Sequence, residues 1–430
     1  MKVKDPNAHF QPSSELQLTE IGPLPVDWSV STVGDEFHVQ LGKMLDAEKN
    51  VGTPKPFLGN RAVQWGRIDV SDVGEVRMSP SDLQRYRLVV GDLLVCEGGE
   101  VGRSAIWRGQ LEECYYQKAL HRLRAKRGYS HELMAAVLEQ CARSGRLQDY
   151  VTQTSIAHLP KEKFVVLPIP KPSTEEEQRR ISQVIGDSDG LIDSLEQILT
   201  KKRQIKQGAM QELLTGKRRL PEFSQPWTVV RLGQVGRTYG GLIGKGKADF
   251  GHGAAKYITF MNVMSNIRTS VEMVESVHID PAESQNMVQS GDLLFNGSSE
   301  TPEEVAMCSW VERCDKGVFL NSFCFGFRPF AADRISGLFM AYYFRGQPGR
   351  TAVSSLAQGA TRYNIAKTAL LQAPLCLPSL KEQKAIAEIL SSMDTEIASL
   401  ESRLTKARAV KLAITQALLT GRIRLVESNA

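Results

Sequence analysis

The sequence predicts a mixed α/β (α+β) protein built twice over. Two globular domains are each followed by a long helix, and the two helices pack as an antiparallel coiled coil related by an internal pseudo-twofold repeat. Three observations predict this. The stretch from Glu177 to Leu220 returns without a gap at Glu382 to Leu425, with 20 of 44 positions identical, including LLTG at 213–216 and 418–421. A repeat on that scale sets the architecture before local structure does. Within both copies the apolar residues keep the alternating four-and-three spacing of a coiled-coil seam. Ahead of each copy, short alternating runs rich in Val, Ile and Tyr are broken by Gly turns, the mark of an α/β domain.

The first domain spans 1–166. WSVSTVG at Trp28 and GDLLV at Gly91 have strand character, as does QKALHRLRAKR (117–127), and HELMAAVLEQCARSGRLQDYV (131–151) has helix character. The first spacer helix lies in 167–222, with Pro172 ahead of its start. Its stripe runs through Ile181, Ile185, Ile192, Leu195, Leu199, Ala209 and Leu213, interrupted by Ser188, Lys202 and Lys206. The second domain spans 223–374, where WTVVRLG at Trp227, YITFMNV at Tyr257 and GDLLF at Gly291 echo WSVSTVG, FLGNRAV at Phe57 and GDLLV. RISGLFMAYYFRG (334–346) supplies its helix. The second spacer helix lies in 375–430 behind Pro378, with Ile386, Leu390, Met393, Ile397, Leu400, Leu404, Ala407, Ile414 and Leu418 on its stripe and Lys411 as the break. Gly216 and Gly421 supply left-handed caps. Each helix of about 38 residues measures about 57 Å, and one narrow apolar stripe of that length needs a partner of matching length. The domain interiors, 96–127 and 296–330, do not align. A shared frame with divergent insides is what two similar readers of two different targets would look like.

With 430 residues, 42% apolar and 23% charged, the chain has the composition of a globular protein of two or more domains. Its net charge of +5 is compatible with nucleic acid. No apolar run is long enough for a membrane span and the N-terminus has no signal-peptide pattern, so the expected location is cytoplasmic. The seven cysteines (Cys96, Cys114, Cys141, Cys308, Cys314, Cys324 and Cys376) form no CxxC and no zinc spacing. Buried reduced thiols are expected.

LPVDW (24–28), LPIPKPSTEEEQ (167–178), LLTGKRRLPEFSQPW (213–227), LPSLKEQ (377–383) and LLTGRIRL (418–425) together resemble the specificity subunit of type I restriction–modification enzymes over essentially the whole chain. The resemblance implies two target recognition domains, each reading one part of a split sequence in double-stranded DNA. It also implies helices that space them and dock two methyltransferase subunits, and through these the restriction/translocase subunits. S-adenosylmethionine, ATP and Mg would belong to those partners, and this chain would carry no cofactor. TEIGPLPVDW parallels GKRRLPEFSQPW, a circular organisation that would place GRIRLVESNA near the N-terminus. Helices of about 57 Å suit readers one to one and a half turns of duplex apart. Because the halves differ, the site is expected to be asymmetric.

The residues expected to touch DNA are basic or amide-bearing. Arg103 and Asn296 follow the GDLL strands, where glycines in CEGGEVGR (96–103) let backbone approach a ligand, although a hairpin turn is the plain alternative. Lys118, His121, Arg122, Arg124 and Lys126 lie on one run. If it is a strand, Arg122, Arg124 and Lys126 share a face, either against phosphates or simply solvated. Lys245 and Lys247 sit in GLIGKGKA (241–248), a near-miss to a nucleotide loop whose last position is Ala248, with no hydroxyl for magnesium; it is either a flexible basic loop beside DNA phosphates or a plain surface loop. Arg362, Tyr363 and Asn364 in GATRYNIAK fall late in the second domain, at the position that QTSIAHLPK (153–161) takes in the first; the two stretches either meet DNA or simply close their domains. Catalysis has no motif to support it: no glycine-rich cofactor loop with an NPPY-like pocket, no nuclease acid pair followed by ExK, no ordered triad. The alternatives are a coiled-coil scaffold that binds no DNA, which leaves two elaborate divergent domains unexplained, and a self-contained DNA-modifying enzyme.

Overall fold

The computed structural model describes residues 8–12, 15–46, 48–71, 73–153, 157–331, 334–359 and 361–427. Four helices carry the architecture: α1 (His131–Arg143), α2 (Glu175–Leu213), α3 (Gly337–Arg345) and α4 (Leu380–Leu419). The chain divides into two compact units, one of Met1–Leu195 with Arg403–Ala430 and one of Glu196–Ser402. Each long helix therefore starts in one unit and ends in the other.

In the first unit a four-stranded antiparallel sheet runs Ser104–Ile106, Leu93–Cys96, Leu120–Ala125, Phe37–Leu41. A second, three-stranded sheet holds Tyr115–Tyr116, Thr53–Leu58 and Gly74–Met78, the first pair parallel. In the second unit the same two sheets recur. Gly236–Gly240, Cys324–Pro329, Leu293–Asn296 and Cys308–Trp310 make the larger, and Val274–Val277, Phe250–Ile258 and Val318–Leu320 the smaller. The larger sheet is covered on both faces. Leu93, Val95 and Leu123 face the cluster containing α1, while Leu94, Cys96 and Leu120 face a cluster with Trp107 and Tyr116.

The repeated motifs acquire physical reasons here. In the GD of GDLL, the buried Asp92 carboxylate accepts from Arg124 Nε at 2.6 Å and from the Val89 N–H at 2.9 Å. Asp292 does the same with Arg328 at 2.8 Å and the Gln289 N–H at 2.8 Å, and adds the Tyr239 hydroxyl at 2.6 Å. In the EQ that opens each long helix, the glutamate fastens an arginine from beyond an LLTG turn. Glu177 holds Arg424 at 2.5 Å and accepts from Trp28 Nε1 at 3.1 Å; Glu382 holds Arg219 at 2.6 Å. The glutamine then accepts from the backbone N–H of the serine that caps the domain helix. Gln178 meets Ser130 ahead of α1 at 3.3 Å, and Gln383 meets Ser336 ahead of α3 at 2.9 Å. Gly216 and Gly421 take positive φ just past the helix ends. A Cβ on Gly421 would lie 2.3 Å from Pro25, so the turn admits no side chain.

The long helices pack antiparallel in both units. In the first, Ile181, Ile185 and Leu195 of α2 are buried, as are Leu404 and Leu418 of α4, and Asp189 meets Lys411 at 2.5 Å. In the second, Leu199 and Leu213 are buried, as are Ile386, Leu390 and Leu400, while Lys202 meets Glu396 at 2.7 Å and Arg203 meets Glu401 at 2.6 Å. Ile192 and Ile397 are half-buried. The lysines that interrupt the stripe are thus cross-helix ion pairs: Lys206 adds a third, to Asp394.

Two expectations need revision. Helix character ends at Arg143 and gives way to a 3-10 turn at Arg146–Tyr150, because Gly145 takes a positive φ. A further helix, Gln347–Ser354, which the sequence reading did not single out, follows α3, with Pro348 in its first turn where proline is tolerated. All seven cysteines are free, but Cys376 is exposed and Cys314 half-buried, the former because alternate residues of Pro374–Leu377 face outward. Among the described residues no helix is long and apolar enough to cross a membrane. The C-terminal strand Ile423–Glu427 pairs antiparallel with Ala8–Pro12, so the chain closes on itself within the first unit.

Candidate functional site

Several of the expected DNA-contacting residues are spent on the fold. His121 is fully buried, its Nε2–H donating to the Leu159 carbonyl at 2.8 Å and its ring 5.1 Å from Phe164. Burial pushes this imidazole down to about 4, so it is neutral. Arg122 is buried beside Tyr116 and donates to the carbonyls of Arg85 at 3.2 Å and Arg87 at 3.3 Å. Arg124 is the Asp92 partner described above. The shared face expected for Arg122 and Arg124 therefore exists, but it looks into the protein. Asn296 is also fully buried. It donates to the Glu304 carbonyl at 2.8 Å and accepts from the Met307 N–H at 2.6 Å, closing the turn after its strand. Arg103 ties the hairpin after Leu93–Cys96 to the Asn60 carbonyl at 2.8 Å and to Glu100 at 3.1 Å.

Other candidates stay at the surface. Lys118, Lys126, Lys247, Arg362 and Asn364 are exposed. Lys126 is tethered to the Gly34 carbonyl, and Lys245 packs its stem inward and pairs with Glu283 at 2.5 Å. Tyr363 is half-buried against the second unit's core. Part of QTSIAHLPK, residues 154–156, lies outside the described residues.

The structure gathers some of these where the strand after GDLL ends. In the second unit the Gly297 N–H donates to the Phe323 carbonyl at 2.8 Å and the Gly297 carbonyl accepts from the Ile365 N–H at 3.2 Å. Phe323, Arg362 and Asn364 meet there. The Arg362 guanidinium lies 5.5 Å over the Phe323 ring, which is 58% exposed, and Lys367 stands nearby over Phe325. In the first unit Glu97 fills the place of Gly297: its N–H donates to the Ala119 carbonyl at 2.9 Å and its carbonyl accepts from the Leu159 N–H at 2.7 Å. Lys118 and His158 flank it. Reading the sequence alone passes over Phe323 and reaches His158 only as part of the QTSIAHLPK stretch. A register carried forward from GDLL by backbone pairing, rather than by residue identity, would have found both.

Neither place has the makings of a catalytic centre. The second joins exposed Phe323, Arg362 and Asn364 on a strand end, and the first joins the half-buried Glu97 and His158 with the exposed Lys118, sets of hydrogen-bonding and aromatic groups suited to base edges. Among the described residues no three His, Cys, Asp or Glu side chains come together as metal ligands.

Residues 224–407 match the type I restriction modification DNA specificity domain. Over 457 aligned positions the chain is 23% identical to the type I restriction enzyme MjaX specificity subunit of Methanocaldococcus jannaschii, covering 97% of this chain and 98% of that one. It is 26% identical over 297 positions to the MjaVIII specificity subunit of the same organism, covering 66% and 68%. Among solved structures, the S subunit of a type I restriction–modification system from M. genitalium aligns with a TM-score of 0.57 at 13% identity, over 95% of this chain and 98% of that one. The HsdS subunit from Thermoanaerobacter tengcongensis aligns with a TM-score of 0.50 at 18% identity, over 93% and 98%. These likenesses show the fold.

Proposed function

We propose that the chain is a member of the type I restriction–modification DNA specificity family, whose domain matches residues 224–407, and that it is the non-catalytic subunit that gives such a complex its DNA sequence. Residues 1–166 read one half of a split, asymmetric site and residues 223–374 read the other. The long helices set the number of unread base pairs between the halves and dock two methyltransferase subunits, through which restriction subunits join. S-adenosylmethionine, ATP and Mg act on those partners.

One observation carries this reading: the same two-sheet frame is built twice, and it ends in strand tips whose exposed side chains differ. A frame built twice with unlike tips is suited to an unlike pair of half-sites, as a dimer of identical readers is suited to a palindrome. The helices add an unspent apolar surface, with Ile198 45% and Ile205 47% exposed on α2, beside a buried seam that is already complete. The test is to express the chain with its methyltransferase subunit and sequence the methylated sites in host DNA. A split motif with two dissimilar halves is expected, together with a stable complex on purification. Stable complexes without sequence-dependent methylation would favour a scaffold, and methylation by the chain alone would favour an enzyme.

A further inference from the structure

The junction at the end of the GDLL strand goes deeper than the function just proposed, and the inference drawn from it rests on that function. Around it the two units keep one set of backbone bonds. Gly42 N–H to Leu120 O and Gln117 N–H to Leu58 O in the first are matched by Gly241 N–H to Cys324 O and Asn321 N–H to Ile258 O in the second. The Glu97 bonds to Ala119 and Leu159 are matched by the Gly297 bonds to Phe323 and Ile365. One residue further on, Gly98 bridges His158 where Ser298 pairs with Asn364. Glu97, Lys118, Ala119 and His158 therefore stand where Gly297, Ser322, Phe323 and Asn364 stand. The skeleton is common and the side chains on it contrast in charge, size and hydrogen-bonding type.

We propose that this junction is the base-reading edge of each unit, with Glu97, Lys118 and His158 selecting bases in one half-site and Phe323, Arg362 and Asn364 in the other. Glu97 is half-buried, and among the described residues its carboxylate has no hydrogen-bond or ion-pair partner. A carboxylate only accepts, so the group that completes it is an amino donor: cytosine N4 or adenine N6 in the major groove. Burial holds the Glu97 carboxyl above its ordinary value, with His158 and Lys118 opposing that rise and Glu162 adding to it. Lys118, exposed beside it, offsets its charge next to phosphates.

The second unit presents the opposite chemistry. Gly297 offers no side chain, and a Cβ there would stand 3.0 Å from the Phe323 carbonyl. What protrudes instead is Phe323, fixed by its N–H to Asn321 Oδ1 at 2.9 Å and capped by Arg362. An exposed aromatic held on a rigid turn is suited to a thymine methyl, the guanidinium fork to guanine O6 and N7, and the exposed Asn364 amide to adenine.

The test uses the full chain assembled with its methyltransferase partners, given a randomised duplex library whose methylated sites are sequenced. Glu97→Gln should relax or switch one base position in one half-site by roughly fivefold to a hundredfold, leaving the other half-site as it was. Arg362→Ala should do the same in the other half-site. An unchanged base profile, or an equal loss over all sequences in a folded variant, overturns the proposal. Thermal melts accompany each variant. Should Glu97→Gln unfold, Lys118→Ala, on an exposed side chain, must still change that half-site alone or the proposal falls. A wild-type complex that yields no split motif would instead defeat the function proposed above, whereas a wild-type motif that no variant alters defeats only this inference.

Discussion

His121 shows what a buried side chain does with a charge that sequence reading assigns to a ligand. Its ordinary value is 6.5 and burial holds it at about 4. Between those values the unfolded chain takes up a proton that the native imidazole refuses, so stability is fully present above pH 6.5 and is lost as pH falls toward 4. A difference of this size corresponds to about 3 kcal/mol. Denaturant unfolding at pH 7 and at pH 4.5 should therefore lose less stability for His121→Gln, whose amide can still donate to the Leu159 carbonyl, than for the wild type. An equal loss in both would mean that His121 is not the neutral group described. The same residue explains why the candidate DNA-contacting side chains were only partly legible. Alternation along 120–125 correctly puts Arg122 and Arg124 on one face, but it cannot say that both faces of that strand are covered. Leu120 and Leu123 pack into different clusters, so charge on either side must find an internal partner. Lys118, one turn away, escapes because the strand has not yet begun.

The long helices were the most legible elements, since a seam kept over eleven turns has few rival interpretations. Their polar interruptions were not. Lys206 and Lys411 look like defects in a single helix and become partners of Asp394 and Asp189 only when the other helix lies antiparallel. The buried seam and the open face of the two long helices make opposite predictions. On α4, Leu400 is 8% exposed, so Leu400→Asp should cost about 3 kcal/mol or more, read as a shifted melting midpoint. Ile198→Asp, on the open face, should leave the melt within about 0.5 kcal/mol of wild type. It should nevertheless weaken co-purification with the methyltransferase subunit. If Ile198→Asp melts early, or Leu400→Asp melts as wild type, the seam has been drawn on the wrong face.

For the molecule as a whole, the fold places its repeat so that one unit can change without disturbing the other. The first unit is closed by Ala8–Pro12 on Ile423–Glu427, by Ser29–Thr32 on Pro168–Lys171, and by Arg424 on Asp27 and Glu177. None of these fastenings uses a residue between 37 and 160. The buried Glu36, which takes Lys171 at 2.8 Å, lies just outside that stretch. Residues 37–160 hold the first unit's two sheets, α1 and the junction at Glu97, whereas the second unit's junction at Gly297 is built wholly from 196–402. Exchanging residues 37–160 for the matching stretch of a related chain should consequently leave the closures intact and change one half of the methylated motif. The other half and the unread gap should stay as they were, because α2 and α4 are untouched. Sequencing methylated sites made by the exchanged chain with the original methyltransferase subunit checks this. A motif altered in both halves would mean that the units share their reading, and a motif altered in neither would place recognition outside the strand tips.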